Sequence, residues 1–181
     1  MANTNEQFRR AIGKCRHIFE QKMADYGSSW QVLRPTSVTD QLFIKAARIR
    51  SLEIKGCSCI DEGIETEFIS IVNYGVIGLI QLESGVRENS DIPLAEAMAF
   101  YDKHIAAATD LMLAKNHDYD EAWRSMRLST YTDIILMKIH RTKQIEDNGG
   151  RTFVSEGVAA NYMDMINYAL FGLIQLEEAG E

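Results

Sequence analysis

Residues 22–34 (KMADYGSSWQVLR) and residues 115–127 (KNHDYDEAWRSMR) carry Lys, Asp, Tyr, Trp and Arg at the same five positions. The offset of 93 residues continues along the chain, and after one inserted residue both stretches close with the same hexapeptide, GLIQLE, at residues 78–83 and 172–177. In this single register 21 positions of the first copy, counted from Lys22 onward, are identical in the second. The chain therefore contains an internal duplication, which decides the fold.

Most of the identical positions are polar or aromatic. If only packing had been retained, the agreement would lie among apolar positions, and the surface charges would be scrambled. We therefore take the shared set as candidates for ligand binding, with capping and buried hydrogen bonding as the alternative. These candidates are Lys22, Asp25, Trp30, Arg34, Lys45, Arg48 and Asn73 in the first copy, and Lys115, Asp118, Trp123, Arg127, Lys138, Arg141 and Asn167 in the second.

Each copy is expected to form three helices. The first ends near Gly27 and Asp120, the second begins at hydroxyl caps on Ser37 and Thr130 and ends at Gly56 and Gly149, and the third runs from Asp61 and Ser155 to Gly85 and Gly180. The third helix is apolar on nearly every face over residues 69–82, which is typical of a helix surrounded by others. The sequence predicts an all-α six-helix bundle, a single domain over residues 1–181, with repeats at 5–85 and 92–180 related by pseudo-two-fold symmetry.

Composition narrows the classes of partner. A net charge of −7 argues against binding long nucleic acid or anionic lipid. No apolar run reaches the roughly 20 residues that a membrane span needs. The polar N-terminus lacks the pattern of a signal peptide, and the three cysteines, an odd number, fit reduced thiols. We expect a cytoplasmic protein with a small-molecule partner, and a homo-oligomer that extends the helical packing.

The Lys-x-x-Arg pairs are candidates for phosphate binding. Lys45 and Arg48 lie three residues apart and so share one helix face, as do Lys138 and Arg141. Arg offers a planar fork of donors and Lys a compact charge, which together suit a phosphate. The alternative is that both side chains extend from the core to solvent.

The two tryptophans are candidates for base stacking. Trp30 and Trp123 each lie four residues before an arginine, so the indole could stack on a base while Arg34 or Arg127 holds a phosphate. The alternative is that each indole closes one end of the bundle by burial.

Five carboxylates are candidates for catalysis and for binding Mg²⁺, which usually takes one or two carboxylates together with substrate phosphates. Glu53 and Glu62 flank the loop between the second and third helices, and Glu146 and Glu156 are their counterparts. Asp164 adds an oxygen ligand along the third helix. In the alternative, Glu62 and Glu156 serve only the N-terminus of that helix, where negative charge is favourable.

The repeated motifs resemble a known family. Lys-x-x-Asp-Tyr-x-x-x-Trp, the Lys-x-x-Arg helix and the Asn73-Tyr74 pair are similar to the nucleotide-modification-associated domain, and two copies in one chain resemble its tandem members. The resemblance implies a link to nucleotide metabolism or to modified DNA, without specifying an activity.

A more distant likeness is to the all-α nucleoside triphosphate pyrophosphohydrolases of the MazG and dimeric dUTPase type. Those helical bundles use Mg²⁺, held by acidic side chains, to split a nucleotide between its α- and β-phosphates. Where their second helix carries Glu-Glu-x-x-Glu, this chain has the Lys-x-x-Arg pairs, and Glu67-x-x-Ser70 and Asp164-x-x-Asn167 are partial counterparts of their Glu-x-x-Asp.

These observations lead to two hypotheses. The first is a nucleotide-binding protein, in its fullest form a Mg²⁺-dependent pyrophosphohydrolase of non-standard or modified nucleotides, with Glu53, Glu62, Glu146 and Glu156 as catalytic residues and the same four with Asp164 as metal ligands. The second is a non-catalytic ligand-sensing or protein-interaction module, whose shared polar residues form a structural network.

Overall fold

A computed structural model describes residues 4–56, 63–88 and 91–180, and every regular element in these ranges is helical. Each repeat has a long helix, a short 3-10 turn that carries the Trp, and two further helices. The helices are α1 (Thr4–Tyr26), α2 (Pro35–Lys55), α3 (Ile64–Ser84), α4 (Leu94–Tyr119), α5 (Leu128–Asp147) and α6 (Val158–Ala179), and the 3-10 turns are Ser29–Val32 and Ala122–Ser125. The prediction of an all-α six-helix bundle is confirmed.

The first helix of each repeat ends where the sequence predicted. Gly27 follows α1 with φ +67°, a left-handed conformation that glycine adopts without a steric penalty. Asp120 ends α4 in the same region, with φ +48°, and short polar side chains tolerate this conformation better than most. Two different residues thus end the first helix in the same backbone conformation. In the second repeat the next residue, Glu121, is left-handed as well, with φ +55°.

The predicted hydroxyl caps are wrong. Helix α2 begins at Pro35 and α5 at Leu128, two residues before Ser37 and Thr130, and the N-cap residues make no side-chain capping bond. Pro35 suits the first helical position because its φ is already fixed at a helical value and its missing N–H would have no intrahelical acceptor there. The hydroxyls of the predicted caps therefore lie inside the first turn.

The start of the third helix also needs correction in the second repeat. Helix α6 begins at Val158, after Gly157, so Ser155 belongs to an exposed loop. In the first repeat α3 begins at Ile64, and the predicted start, Asp61, lies outside the described residues.

Helices α3 and α6 pack against each other at the centre, with α2 and α5 completing one side and α1 and α4 the other. Both central helices are mostly buried, as predicted. The Asn73 amide donates to the Cys15 carbonyl at 3.1 Å, and the Asn167 amide donates to the Ala108 carbonyl at 2.8 Å. These two acceptors occupy equivalent positions, so the asparagines tie the centre of each repeat to its first helix in the same way.

The glutamines of the GLIQLE segments also have equivalent roles. Gln81 donates to the Leu33 carbonyl at 2.6 Å, and Gln175 donates to the carbonyl of the counterpart residue, Met126, at 2.9 Å; both acceptors directly follow a Trp-bearing turn. Each bond joins the end of the third helix to the Trp-bearing turn of its own repeat. The expectation that these amides are hydrogen-bonded is therefore confirmed.

Charged side chains join α2 and α5 twice over. Lys143 forms an ion pair with Asp40 at 2.6 Å, and Arg50 forms one with Asp133 at 2.5 Å. Lys143 is the counterpart of Arg50, and Asp133 of Asp40, so one contact is made in both directions across the pseudo-two-fold axis. The repeated Asp residues therefore serve the contact between the repeats.

No helix within the described residues is long and apolar enough to cross a membrane. The expected cytoplasmic location and the homo-oligomer stay predictions.

Candidate functional site

Two cavities lie at equivalent places in the two repeats. Each is enclosed by the end of the repeat's first helix, the Trp-bearing turn and the middle of its third helix. Their volumes are about 240 Å³ in the first repeat and about 330 Å³ in the second. Eleven of the twelve residues that line the second cavity are counterparts of residues that line the first. The duplication has therefore preserved the cavity itself, and not only the helices around it.

The residues that are identical between the repeats converge on these cavities. In the first repeat they are Lys22, Tyr26, Trp30, Asn73 and Tyr74. In the second they are Lys115, Tyr119, Trp123, Asn167 and Tyr168. Packing alone does not require a lysine, an amide and three large aromatic rings around the same space twice, so these cavities are the candidate sites.

The lysine, tryptophan and asparagine of each cavity were predicted from the repeated motifs, whereas its two tyrosines were not among the predicted site residues. Tyr26 and Tyr119 are largely exposed at the end of the first helix, and Tyr74 and Tyr168 are partly buried on the third. The signal was present, because both tyrosines lie inside the repeated motifs. It was missed because a tyrosine is more often read as packing than as a ligand contact.

The second cavity also contains a buried carboxylate. Asp164 accepts hydrogen bonds from Lys115 at 2.7 Å and from Lys138 at 2.6 Å, while its side chain is only 6% exposed. Burial raises the pKa of Asp164, but the two ammonium groups outweigh burial, and the pKa lies below its ordinary value. The aspartate is therefore held charged between two lysines.

The first repeat places its carboxylate differently. Glu67 pairs with Lys45 at 3.5 Å and with Arg48, and Glu67 is almost fully buried. The counterpart of Glu67 is Asn161, whereas Ser70 stands in the position of Asp164, so the acidic group has moved by one helical turn between the repeats.

This displacement changes what the Lys-x-x-Arg pairs do. Lys45 and Arg48 do not line the first cavity, and the carboxylate of Glu67 balances one of their charges. In the second repeat Lys138 lines the cavity, whereas Arg141 is exposed outside it. The structure thus brings one member of the four into a candidate site.

Both tryptophans are buried, as the alternative to base stacking predicted. Trp123 is 5% exposed, and its ring stacks on Phe171 with centroids 4.4 Å apart and an angle of 13°. The Arg124 guanidinium lies 4.3 Å from the ring centroid. Because these groups pack on the indole, a ligand in the cavity reaches its edge more readily than its face. Arg34 and Arg127 are exposed at the N-caps of the second helices and do not line the cavities.

The predicted catalytic carboxylates Glu53 and Glu146 join the two repeats. Thr39 donates to Glu146 at 2.8 Å, and its counterpart Thr132 donates to Glu53 at 2.9 Å. Burial raises the pKa of both carboxyl groups. Like the ion pairs between α2 and α5, this contact is made once in each direction.

The remaining predicted residues lie apart from the cavities. Asp25, Asp118 and Glu156 are exposed, and none of them is a lining residue. Glu62 lies outside the described residues. Within the described ranges no group of three or more His, Cys, Asp or Glu side chains is arranged to hold a metal ion. Mg²⁺ binding stays a prediction.

The fold and the paired cavities define a class: an all-α protein built from two related repeats, each with a polar and aromatic cavity at the end of its bundle. The family model for nucleotide modification associated domain 1 matches the chain twice, at residues 22–82 and 115–176. The chain belongs to this family, and the identical cavity residues all lie within the two matched segments. No curated protein and no solved structure is significantly similar to the chain.

Proposed function

We propose that this protein binds a nucleotide in a cavity of the kind that its two repeats share. The observation that carries the proposal is the convergence of the identical Lys, Tyr, Trp, Asn and Tyr residues on equivalent cavities inside the segments that define the family. Packing of a helical bundle does not by itself require a lysine, an amide and three aromatic rings around one space, so this lining points to a ligand.

The chemistry of the lining suits a nucleotide. The Lys115 side chain is 46% exposed, so its ammonium group can reach a phosphate outside the cavity mouth. Tyr119 is exposed beside it and offers a ring face on which a base can stack. Asn167, buried deeper in the cavity, presents an amide that can pair with the edge of a base.

Mg²⁺-dependent pyrophosphohydrolysis is the finer form of this proposal. It requires carboxylates that can hold the ion beside the phosphates. Glu53 and Glu146 accept hydrogen bonds from threonines of the opposite repeat, and Asp164 is held by two lysines. The described residues therefore give more support to binding or sensing without catalysis than to hydrolysis.

Calorimetric titration tests the proposal. The wild-type chain is titrated with the common ribonucleoside and deoxyribonucleoside mono- and triphosphates and their modified forms, with and without Mg²⁺. We expect heat for at least one of them, and its loss in the Lys22→Ala, Lys115→Ala double variant. Lys55→Ala, which removes an exposed lysine far from the cavities at the end of α2, is the matched control and should bind normally.

The same panel is assayed for pyrophosphate release. Release that depends on Mg²⁺ and disappears in Glu53→Gln or Glu146→Gln would establish the hydrolase. The absence of heat for every nucleotide would overturn nucleotide binding altogether.

A further inference from the structure

The two cavities differ in how their polar atoms are satisfied. In the first cavity the Trp30 indole N–H donates to the Met23 sulfur at 3.3 Å, and the Tyr101 hydroxyl donates to Asn73 Oδ1 at 2.8 Å. In the second cavity Trp123 Nε1 and Asn167 Oδ1 have no hydrogen-bond partner among the described residues. Both residues are 5% exposed, so bulk water does not supply the partners either.

Two sequence differences account for the contrast. The counterpart of Met23 is Asn116, whose amide lies 3.0 Å from the Met112 sulfur and so is directed elsewhere. The counterpart of Tyr101 is Phe8, which has no hydroxyl to donate. Phe8 packs against Trp123 and Phe171 with ring centroids at 6.2 and 5.5 Å. Each replacement removes one internal partner, while Phe8 keeps an aromatic ring at its position.

Buried polar atoms without partners are uncommon and costly in folded proteins. Two of them, on residues that line one cavity, form an unpaired donor and an unpaired acceptor in a space of about 330 Å³. That volume lies near the lower end of the roughly 300–1,000 Å³ typical of small-molecule sites. A ligand that supplies one acceptor and one donor would satisfy both atoms of the second cavity, whereas the corresponding atoms of the first cavity already have partners within the protein.

We infer that the repeats have diverged in function, and that the cavity of the second repeat is the ligand site. Its ligand is a nucleoside monophosphate whose base accepts a hydrogen bond from Trp123 Nε1 and donates one to Asn167 Oδ1. This inference rests on the proposed nucleotide binding. It adds which cavity binds the nucleotide and which two atoms recognise the base.

The charges of the second cavity agree with a monophosphate. Lys115 and Lys138 contribute two positive charges, and Asp164 contributes one negative charge. Lys138 is 13% exposed and remains bound to Asp164, whereas Lys115 is the more exposed of the two cations. Lys115 can therefore turn toward a phosphate while Asp164 keeps its bond to Lys138. Ser70 stands in place of Asp164 in the first cavity, so that cavity lacks this paired arrangement.

The test installs the internal partners of the first cavity in the second. Phe8→Tyr provides a hydroxyl at the position of Tyr101, and Asn116→Met provides a sulfur at the position of Met23. Titration with ribonucleoside and deoxyribonucleoside monophosphates should give one molecule bound per wild-type chain. The Phe8→Tyr, Asn116→Met variant should bind at least about tenfold more weakly, which corresponds to a loss of about 1.4 kcal/mol, while its Tm is unchanged or higher.

The reciprocal variant, Tyr101→Phe with Met23→Asn, removes the internal partners of the first cavity. It should keep the wild-type binding event and show a second, weaker one. Should Phe8→Tyr prevent folding, Asn116→Met alone, at a partly exposed position, must still weaken binding.

The outcomes separate the inference from the proposed function. If no monophosphate or triphosphate binds to the wild-type chain, nucleotide binding itself fails. If a nucleotide binds, but with two equivalent sites, or if binding survives in the second-cavity variant and is lost in the reciprocal variant, nucleotide binding stands and the inference is wrong.

Discussion

Gly78 of α3 lies directly beneath the ring of Tyr162 on α6. A methyl group at Gly78 would come within 2.6 Å of Tyr162 Cε2, far inside van der Waals contact. The counterpart contact is also present, since a methyl group at Gly172 would lie 2.9 Å from the Phe68 ring. The glycine that begins each GLIQLE segment is therefore required by the close approach of the two central helices.

Gly78→Ala should destabilise the protein. Overpacking a buried site usually costs about 1–3 kcal/mol, and here the methyl group would meet a buried aromatic ring. Thermal unfolding should show a lower Tm. Gly13→Ala is the matched control, because Gly13 lies in the interior of α1 with nothing within 4 Å of a new methyl group. That change should raise stability by about 0.5–1 kcal/mol. Equal effects of the two variants would contradict the packing argument.

Removing Lys45 and Arg48 should lower stability. Glu67 would stay buried without a cation, and breaking a buried ion pair costs about 3–5 kcal/mol; because both cations are partly exposed, we expect the lower end. Each kcal/mol shifts the Tm of a domain of this size by about 2–4 °C. Thermal unfolding of Lys45→Ala with Arg48→Ala measures the loss, and adding Glu67→Gln should recover part of it.

Arg141→Ala is the control for that experiment. Arg141 occupies the position of Arg48 but is exposed, so its removal should change stability by no more than about 0.5 kcal/mol. A double variant of Lys45 and Arg48 that retains the wild-type Tm but loses nucleotide binding would instead support the phosphate-binding interpretation of the pair.

Thr132→Val should weaken the contact between the repeats. It removes the hydroxyl that donates to Glu53, and hydrogen bonds to charged groups contribute about 1.5–3 kcal/mol. We expect a loss of about 1 kcal/mol in urea unfolding, because the Glu53 side chain is exposed to water. Thr130→Val, in the first turn of the same helix, should be nearly neutral, because Thr130 does not cap it. A large loss of stability in Thr130→Val would instead support a capping role for the Thr130 hydroxyl.

Glu146→Gln should change the dependence of stability on pH. Burial is the main reason that the pKa of Glu146 is raised above its ordinary value of 4.5, and Asp40 and Asp147 raise it further, while the hydroxyls of Thr39 and Tyr162 oppose the rise. A raised pKa in the folded state means that this group favours folding below 4.5 and loses that contribution as the pH rises through the folded-state pKa.

The glutamine variant should therefore be more stable than the wild type at pH 7, and the difference should disappear as the pH falls toward 4.5. Denaturant unfolding at several pH values measures it. Asp110→Asn removes the same charge from an exposed position on α4 and should not reproduce the profile. A Glu146→Gln variant that is less stable than the wild type at pH 7 would contradict the direction of the shift.

The internal repeat was enough to predict the order of elements and the buried central helices. The buried carboxylate lies three positions earlier in the first repeat, as Glu67, than in the second, as Asp164. This shift could not be predicted from the repeat. Alignment pairs these carboxylates with Asn161 and Ser70, so the sequence suggests that neither acid is shared. In the structure each carboxylate pairs with the lysine that the two second helices share, Lys45 or Lys138. The two carboxylates do so from different turns of the third helix.

The contacts between the repeats could not be predicted from the sequence, for a different reason. Thr39 and Glu146 are separated by 107 residues, and nothing local marks one as the partner of the other. Their recurrence was visible, and it suggested catalysis because shared carboxylates are typical of active sites. The predicted helix starts were wrong because the hydroxyls of Ser37 and Thr130 resembled caps, whereas α2 and α5 begin two residues earlier, at Pro35 and Leu128.

The reciprocal contacts across α2 and α5 have a consequence for how such a chain could arise. One copy of the three-helix unit carries both the threonine and the glutamate of the hydroxyl contact, and both the base and the acid of the ion pair. Two identical chains would thus hold everything needed for an isologous dimer. Joining them end to end removes the requirement of identity. The halves are then free to differ, as they do where Phe8 faces Tyr101 in the alignment, Asn116 faces Met23 and Asp164 faces Ser70.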